Sequence, residues 1–159
     1  MQQLPLTRLT FLWLSLLIMA GCSQQKEEII PVADPDLIAG DWVLIEPASE
    51  YTVTLRIAST GPLFIEHYGL ELTGRSSVNQ YFASAAFSQR PSIESGPTGT
   101  GSVSGLGATK MAGPPAAMQF EDTYFERLRA VNKVELAGNK RLRLSYGGSS
   151  PGVLVYKRQ

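Results

Sequence analysis

Apolar and polar residues alternate along much of the chain after residue 40, which is the pattern of half-buried antiparallel strands. In the stretch 51–57, Val53, Leu55 and Ile57 fall on one face, and threonine and arginine fall on the other. Glycine, proline and asparagine separate the apolar runs, as turns require. The other runs that predict strands are 42–45, 70–73, 80–87, 134–136, 142–146 and 153–156.

One segment has the period of an amphipathic helix, and Pro114-Pro115 predicts its start. Its apolar face consists of Met118, Phe125, Leu128 and Val131, with Tyr124 beside them. We place Glu121-Asp122 in the first turn, where the helix dipole favours acidic residues. The fold expected is mostly β (α+β), a small antiparallel β-barrel of about eight short strands with one packed α-helix. We expect its core to include Trp42, Val53, Leu55, Phe125, Leu128 and Leu144.

A glycine-rich segment, 95–107, interrupts the strand pattern and predicts a mobile loop. A phosphate-binding loop is the alternative. The segment lacks the Gly-Lys-Ser/Thr ending of such loops, and Ser104 stands where G-x-G-x-x-G requires its last glycine. Nucleotide binding is therefore not expected.

Residues 1–21 have the composition of a signal peptide. Arg8 and the amino terminus supply positive charge, and an apolar run from Phe11 to Ala20 follows. This run of about ten residues is too short to cross a ~30 Å hydrocarbon core as a helix. Small residues then lead to Cys22, the single cysteine of the chain.

The stretch Ile18–Cys22 resembles the lipobox of bacterial lipoproteins, with Met19 at a position that is usually leucine. The resemblance implies a diacylglycerol on Cys22, cleavage before it, and attachment to the membrane through that lipid. Ser23 follows the cysteine, and the sorting rule of such lipoproteins then implies the outer membrane, periplasmic face. The alternative is an ordinary secretory leader with a free cysteine nearby.

Residues 22–36 predict a flexible tether, because they are polar, carry Pro31 and Pro35 and show no periodicity. Fully extended, this tether spans roughly 45 Å. The remaining residues, 37–159, are long enough for one domain. The chain has 14 basic and 14 acidic residues. Without the leader the net charge is about −1, so nothing favours nucleic acid as a partner.

The order of these signals resembles the META domain family, named for heat-inducible bacterial lipoproteins and the parasite proteins that share it. Three stretches carry the resemblance: Leu37–Trp42, Leu72–Phe82, and Ala108–Gly113 with the helix and strand that follow. Many family members have cysteine at the positions of Val78 and Gly113. A thiol or disulfide role of that pair is therefore not expected in this chain.

The candidate chemistry is sparse, and we expect neither an enzyme nor a bound cofactor or metal. His67 is the only histidine, and a zinc site needs three or four ligands. No Gly-x-Ser-x-Gly motif positions a nucleophilic serine. Asn79 follows Gly74 and two serines, and we expect its side chain to order the loop backbone, with ligand contact as the alternative.

We expect a non-enzymatic, monomeric envelope lipoprotein. The resemblance implies a role in envelope stress response or surface integrity, through binding a protein or an apolar ligand. One alternative is a pilot lipoprotein that binds and targets an outer-membrane secretin. The other is an inhibitor of an envelope hydrolase, acting through the loop at 95–107. The residues expected to line an apolar groove between helix and strands are Met111, Met118, Phe120 and Tyr124.

Overall fold

The computed structural model describes residues 29–30, 37–64, 67–88, 99–138 and 140–159. The predicted signal peptide, Cys22 and most of the predicted tether lie outside the described residues. Within the described ranges, no helix is both long and apolar enough to cross a membrane.

Eight antiparallel strands close into a barrel, which confirms the predicted fold class. Each of these strands pairs with the next one along the sheet order β7-β6-β5-β4-β3-β2-β9-β8, and β8 pairs with β7 to close it. A short strand, β1, pairs with β7 outside this ring. The elements are β1 (Ile29–Ile30), β2 (Gly40–Glu46), β3 (Val53–Phe64), β4 (His67–Ser76), β5 (Asn79–Ser88), β6 (Gly99–Ala108), α1 (Pro115–Arg129), β7 (Val131–Ala137), β8 (Arg141–Tyr146) and β9 (Gly152–Arg158).

The barrel interior is filled by the inward-facing side chains of its strands. On β3, Val53, Leu55 and Ile57 are buried, as the alternation of the sequence predicts. Trp42 is fully buried, and its indole nitrogen donates to the carbonyl oxygen of Ile38 at 2.9 Å. All six residues that the sequence assigned to the core are buried, at 6% exposure or less.

Helix α1 packs into a gap in the barrel wall. Strands β6 and β7 pair only at Gly99 with Val134 and at Thr100 with Lys133. Beyond these two pairs the helix contacts β6 and β8 and supplies the missing side of the core. The buried helix residues, which recur on one face, are Ala117, Glu121, Tyr124, Phe125 and Leu128.

Two details of the predicted helix are wrong. The helix ends at Arg129, so Val131 is buried as the first residue of β7 and not as part of the helical face. Glu121 and Asp122 lie in the second turn, because the helix begins at Pro115. The dipole at the helix start therefore does not account for Glu121, which is 3% exposed.

The predicted loop at 95–107 is a strand from Gly99 onward, and this part of the prediction is wrong. Gly101 packs so closely against Phe87 and the backbone of β5 that a Cβ atom would clash there. Gly105 has a φ of +61° at a point where the register of β5 and β6 shifts. Close strand packing and a bulge explain these glycines, rather than mobility.

Part of the predicted tether is an ordered strand. Ile29 and Ile30 pair antiparallel with Ala137 and Leu136 at the end of β7, beyond the point where β6 pairs with it. This pairing joins a segment that precedes the first barrel strand, β2, to a strand in the last third of the chain.

Candidate functional site

Three tyrosines form a hydrogen-bonded chain through the core. The Tyr81 hydroxyl donates to the Thr54 carbonyl oxygen at 2.9 Å and lies 2.8 Å from the Tyr124 hydroxyl. The Tyr124 hydroxyl in turn lies 3.0 Å from that of Tyr156. Since each hydroxyl has one proton, Tyr124 donates to Tyr81 and Tyr156 donates to Tyr124. Every hydroxyl proton of the chain has an acceptor, which is the condition for burying such groups.

Burial keeps these hydroxyls neutral. All three tyrosines are at most 2% exposed. Removal from water raises the pKa of Tyr81, Tyr124 and Tyr156 well above the ordinary value. At Tyr81 the hydrogen bond with Tyr124 opposes this rise without cancelling it. The tyrosine chain therefore acts as a structural network of protonated phenols.

The raised pKa values predict how the stability depends on pH. The three tyrosine hydroxyls have a higher pKa in the folded state than the value of about 10 in the unfolded chain. Their contribution to the free energy of unfolding is therefore complete below pH 10 and is lost as the pH rises further. We expect three of the six tyrosines to ionise only as the barrel unfolds. Alkaline titration followed by tyrosinate absorbance and circular dichroism tests this. Ionisation of all six in a folded barrel would contradict it.

A buried cluster lies where the β4–β5 hairpin meets helix α1, and we call it the Asn79–Glu121 cluster. The Glu121 carboxylate accepts hydrogen bonds from the Asn79 backbone N–H at 2.9 Å and from Asn79 Nδ2 at 2.6 Å. The Asn79 side-chain oxygen accepts from the Thr109 hydroxyl and from the Met111 backbone N–H, both at 2.8 Å. Ser77 donates to the Ala117 carbonyl oxygen of the helix at 3.1 Å.

Asn79 thus joins three segments: its own hairpin, the helix and the backbone at 109–111. This is the type of contact that the loop-ordering hypothesis requires. The sequence identified Asn79 but not its partner, because Glu121 is 42 residues away and was assigned to the helix dipole. The sequence did contain a signal for Glu121: it is a carboxylate in the middle of the helix, on the apolar face. A charged residue at such a position needs a buried partner.

The two positions at which many family members have cysteine lie side by side. A Cβ atom built on Gly113 would lie 3.4 Å from the Cβ of Val78 and 2.5 Å from its Cγ2. The branched side chain of Val78 therefore fills the space that a side chain at position 113 would need.

A cavity of about 470 Å³ lies between helix α1 and the segment that connects β6 to it, and we call it the helix–strand cavity. Of the four predicted groove residues, Met111 and Met118 line it together. Met111 is 51% exposed, and Met118 is partly buried. Phe120 instead packs against Tyr51, with ring centroids 5.1 Å apart, and Tyr124 is in the core. The structure therefore divides the four residues among three places.

The only histidine lies apart from these features. His67 is the first residue of β4 and is exposed. Among the residues that the structure describes, no group of three or more histidine, cysteine, aspartate or glutamate side chains is arranged to hold a metal ion.

Comparison with known proteins gives a result at the level of the family. The family model described as META domain matches residues 35–159, which is the whole barrel and its helix. Comparisons with curated proteins and with solved structures found no match. Since the matched range covers well over half of the chain, this protein belongs to the META domain family.

Proposed function

We propose that this chain is a non-enzymatic lipoprotein, anchored to the periplasmic face of the outer membrane, that binds an amphipathic helix of another envelope protein. The observation that carries the proposal is the helix–strand cavity, where Met111 and Met118 are accessible on the outside of a filled barrel. The barrel supplies the frame of this surface, and we propose that binding serves envelope stress response or surface integrity, the role that the family resemblance implies.

The lining of the cavity favours a helix over an acyl chain. The apolar residues Met111, Met118 and Phe125 form part of the surface, and methionine adapts its shape to different partners. Charged residues of both signs, Lys110, Asp122 and Arg129, lie around them. An amphipathic helix presents an apolar stripe with polar residues on either side, which matches such a lining. A secretin-pilot role would be one form of this activity.

The hydrolase-inhibitor alternative has lost its main support. It required an exposed loop at 95–107, and the described part of that segment, Gly99–Ala108, is a barrel strand. We therefore do not propose it.

The lipid anchor is tested at Cys22. Lipoprotein processing acts on the modified cysteine, so Cys22→Ala should leave an uncleaved precursor that incorporates no labelled palmitate. Wild-type processing and labelling in the same cells serve as the control. Palmitate incorporation equal to that of the wild type in the variant would refute the anchor.

The helix-binding surface is tested on the chain from residue 22 with Cys22→Ser, which retains all eight barrel strands. We expect an apolar fluorescent dye to bind it at micromolar concentration and an amphipathic helical peptide to displace the dye. The double variant Met111→Gln, Met118→Gln should lose dye binding, because the apolar lining becomes polar. The matched control is Leu63→Gln, since Leu63 is 49% exposed and lies away from this cavity.

Two outcomes would contradict the helix-binding proposal. One is displacement of the dye by oleate but not by the peptide, which would indicate an acyl-chain site instead. The other is a folded chain, shown by circular dichroism, that binds no dye, because the cavity would then only complete the packing of the domain.

A further inference from the structure

Outward-facing residues of five adjacent strands form a straight row across the barrel, which we call the outer row. Asp41 of β2 pairs with Arg56 of β3, and Arg56 pairs with Thr73 of β4. Thr73 pairs with Phe82 of β5, and Phe82 pairs with Gly107 of β6. With strands ~4.8 Å apart, the row extends ~19 Å across the sheet. A cavity of about 680 Å³ lies along it.

Phe82 is the centre of this surface. Its side chain is 59% exposed, the largest value among the large hydrophobic residues of the described ranges. Its ring lies against Gly107 so closely that a Cβ atom on the glycine would be 2.5 Å from the ring carbon Cζ. The glycine thus lets the far end of the ring, at Cζ and the two Cε atoms, reach over the neighbouring strand. The rest of the ring is accessible from solvent.

Polar side chains with unused hydrogen-bonding groups surround the ring. The Thr73 hydroxyl, the Arg75 guanidinium and the Gln80 side-chain amide make no hydrogen bond or ion pair with other residues of the described ranges. Arg75 and Gln80 pair directly across β4 and β5, one step along the strands from Thr73 and Phe82. Arg56 lies 3.7 Å from the Asp41 carboxylate, so their charges offset each other. The surface therefore offers donors and acceptors, and its charge is small because Arg75 is its one charged side chain without an ion-pair partner in the described ranges.

These properties exclude several kinds of ligand. Strands β2–β5 are paired on both sides, so an extended peptide finds no free strand edge to join. Nucleic acid requires a strongly positive surface, and an acyl chain requires a lining that is mostly apolar. A saccharide presents hydroxyl groups around its edge and apolar C–H groups on its ring face. An exposed aromatic ring among polar side chains is complementary to that arrangement.

We propose that the outer row binds an uncharged saccharide chain, with Phe82 packing against the face of a sugar ring. Thr73, Arg75 and Gln80 would then hydrogen-bond to hydroxyl or amide groups on the same ring and its neighbour. This site is separate from the helix–strand cavity, and the proposal depends neither on that cavity nor on the lipid anchor.

The test is calorimetric titration of the chain from residue 22, with Cys22→Ser, using two probes. The probes are the β-1,4-linked pentamer of N-acetylglucosamine and the β-1,4-linked pentamer of glucose. We expect at least one to bind, and Phe82→Ala to weaken that binding about tenfold. Phe82→Trp should retain binding because it keeps an aromatic face. Gly107→Ala should weaken binding without removing the ring, since the added methyl group displaces it.

Leu37→Ala is the matched control, because Leu37 is also an exposed large apolar residue, at 39%, but lines neither the outer-row cavity nor the adjoining cavity that Phe82 also lines. It should bind as the wild type does, and circular dichroism should show that every variant is folded. Failure of both probes to bind the folded wild type would overturn the proposal. Equal binding by the wild type and Phe82→Ala would also overturn it.

Discussion

Replacing Leu128 with alanine should lower the free energy of unfolding by about 2–5 kcal/mol. Leu128 is fully buried, on the face of helix α1 that completes the core. The helix fills the gap between β6 and β7, which pair at only two positions, so few backbone hydrogen bonds are available to compensate there. Removing the side chain leaves a cavity that the rigid strands cannot close fully.

Urea denaturation of both proteins measures this effect, and Glu126→Ala is the matched control. Glu126 lies in the same helix but is exposed, so its replacement should change the stability by less than about 0.5 kcal/mol. A loss of only about 0.5 kcal/mol for Leu128→Ala would show that the helix does not close the barrel in solution.

A new disulfide between positions 78 and 113 should stabilise the domain by about 2–4 kcal/mol. The Cβ positions of the two residues are 3.4 Å apart, close to the lower end of the range of about 3.5–4.5 Å found in disulfides. Val78→Cys with Gly113→Cys would join the hairpin to the segment before helix α1. The cross-link would close a loop of about 35 residues, which restricts the unfolded chain.

Thermal unfolding with and without dithiothreitol tests this prediction. The reductant should lower the midpoint of the double variant by many degrees and leave the wild type unchanged, because Cys22 is the only natural cysteine. The single variant Val78→Cys controls for the loss of the valine side chain. A double variant that remains reduced in air would show that the two positions do not approach each other as closely as in the structure.

Much of the barrel follows from local patterns. Alternation in β3 and β8 assigned their inward faces correctly, because one residue step in a strand reverses the direction of the side chain. The helix was recognised from its apolar period, with its start within one residue of the observed Pro115. These signals depend on neighbours in the sequence, so they are visible without the tertiary structure.

Strand β6 shows where this reasoning fails. Its inward and outward positions are mostly glycine, serine and threonine, so it lacks the apolar alternation of a strand. Its conformation is imposed by pairing with β5, whose Phe87 and Phe82 rings need the space left by Gly101 and Gly107. The same composition that suggested mobility leaves room for the Phe82 ring on the outer face of the sheet and the Phe87 ring on the inner face.

The sequence by itself determined the fold class, the position of the helix, the core residues and the resemblance to the META domain family. Only the tertiary structure decided which distant residues meet: Asn79 with Glu121, the three tyrosine hydroxyls, and Phe82 with Gly107. Local propensity arises from contacts within a few residues along the chain, whereas these contacts join segments about 25 to 43 residues apart. The register of the closed barrel brings them together, because each strand pairing fixes which side chains share a row.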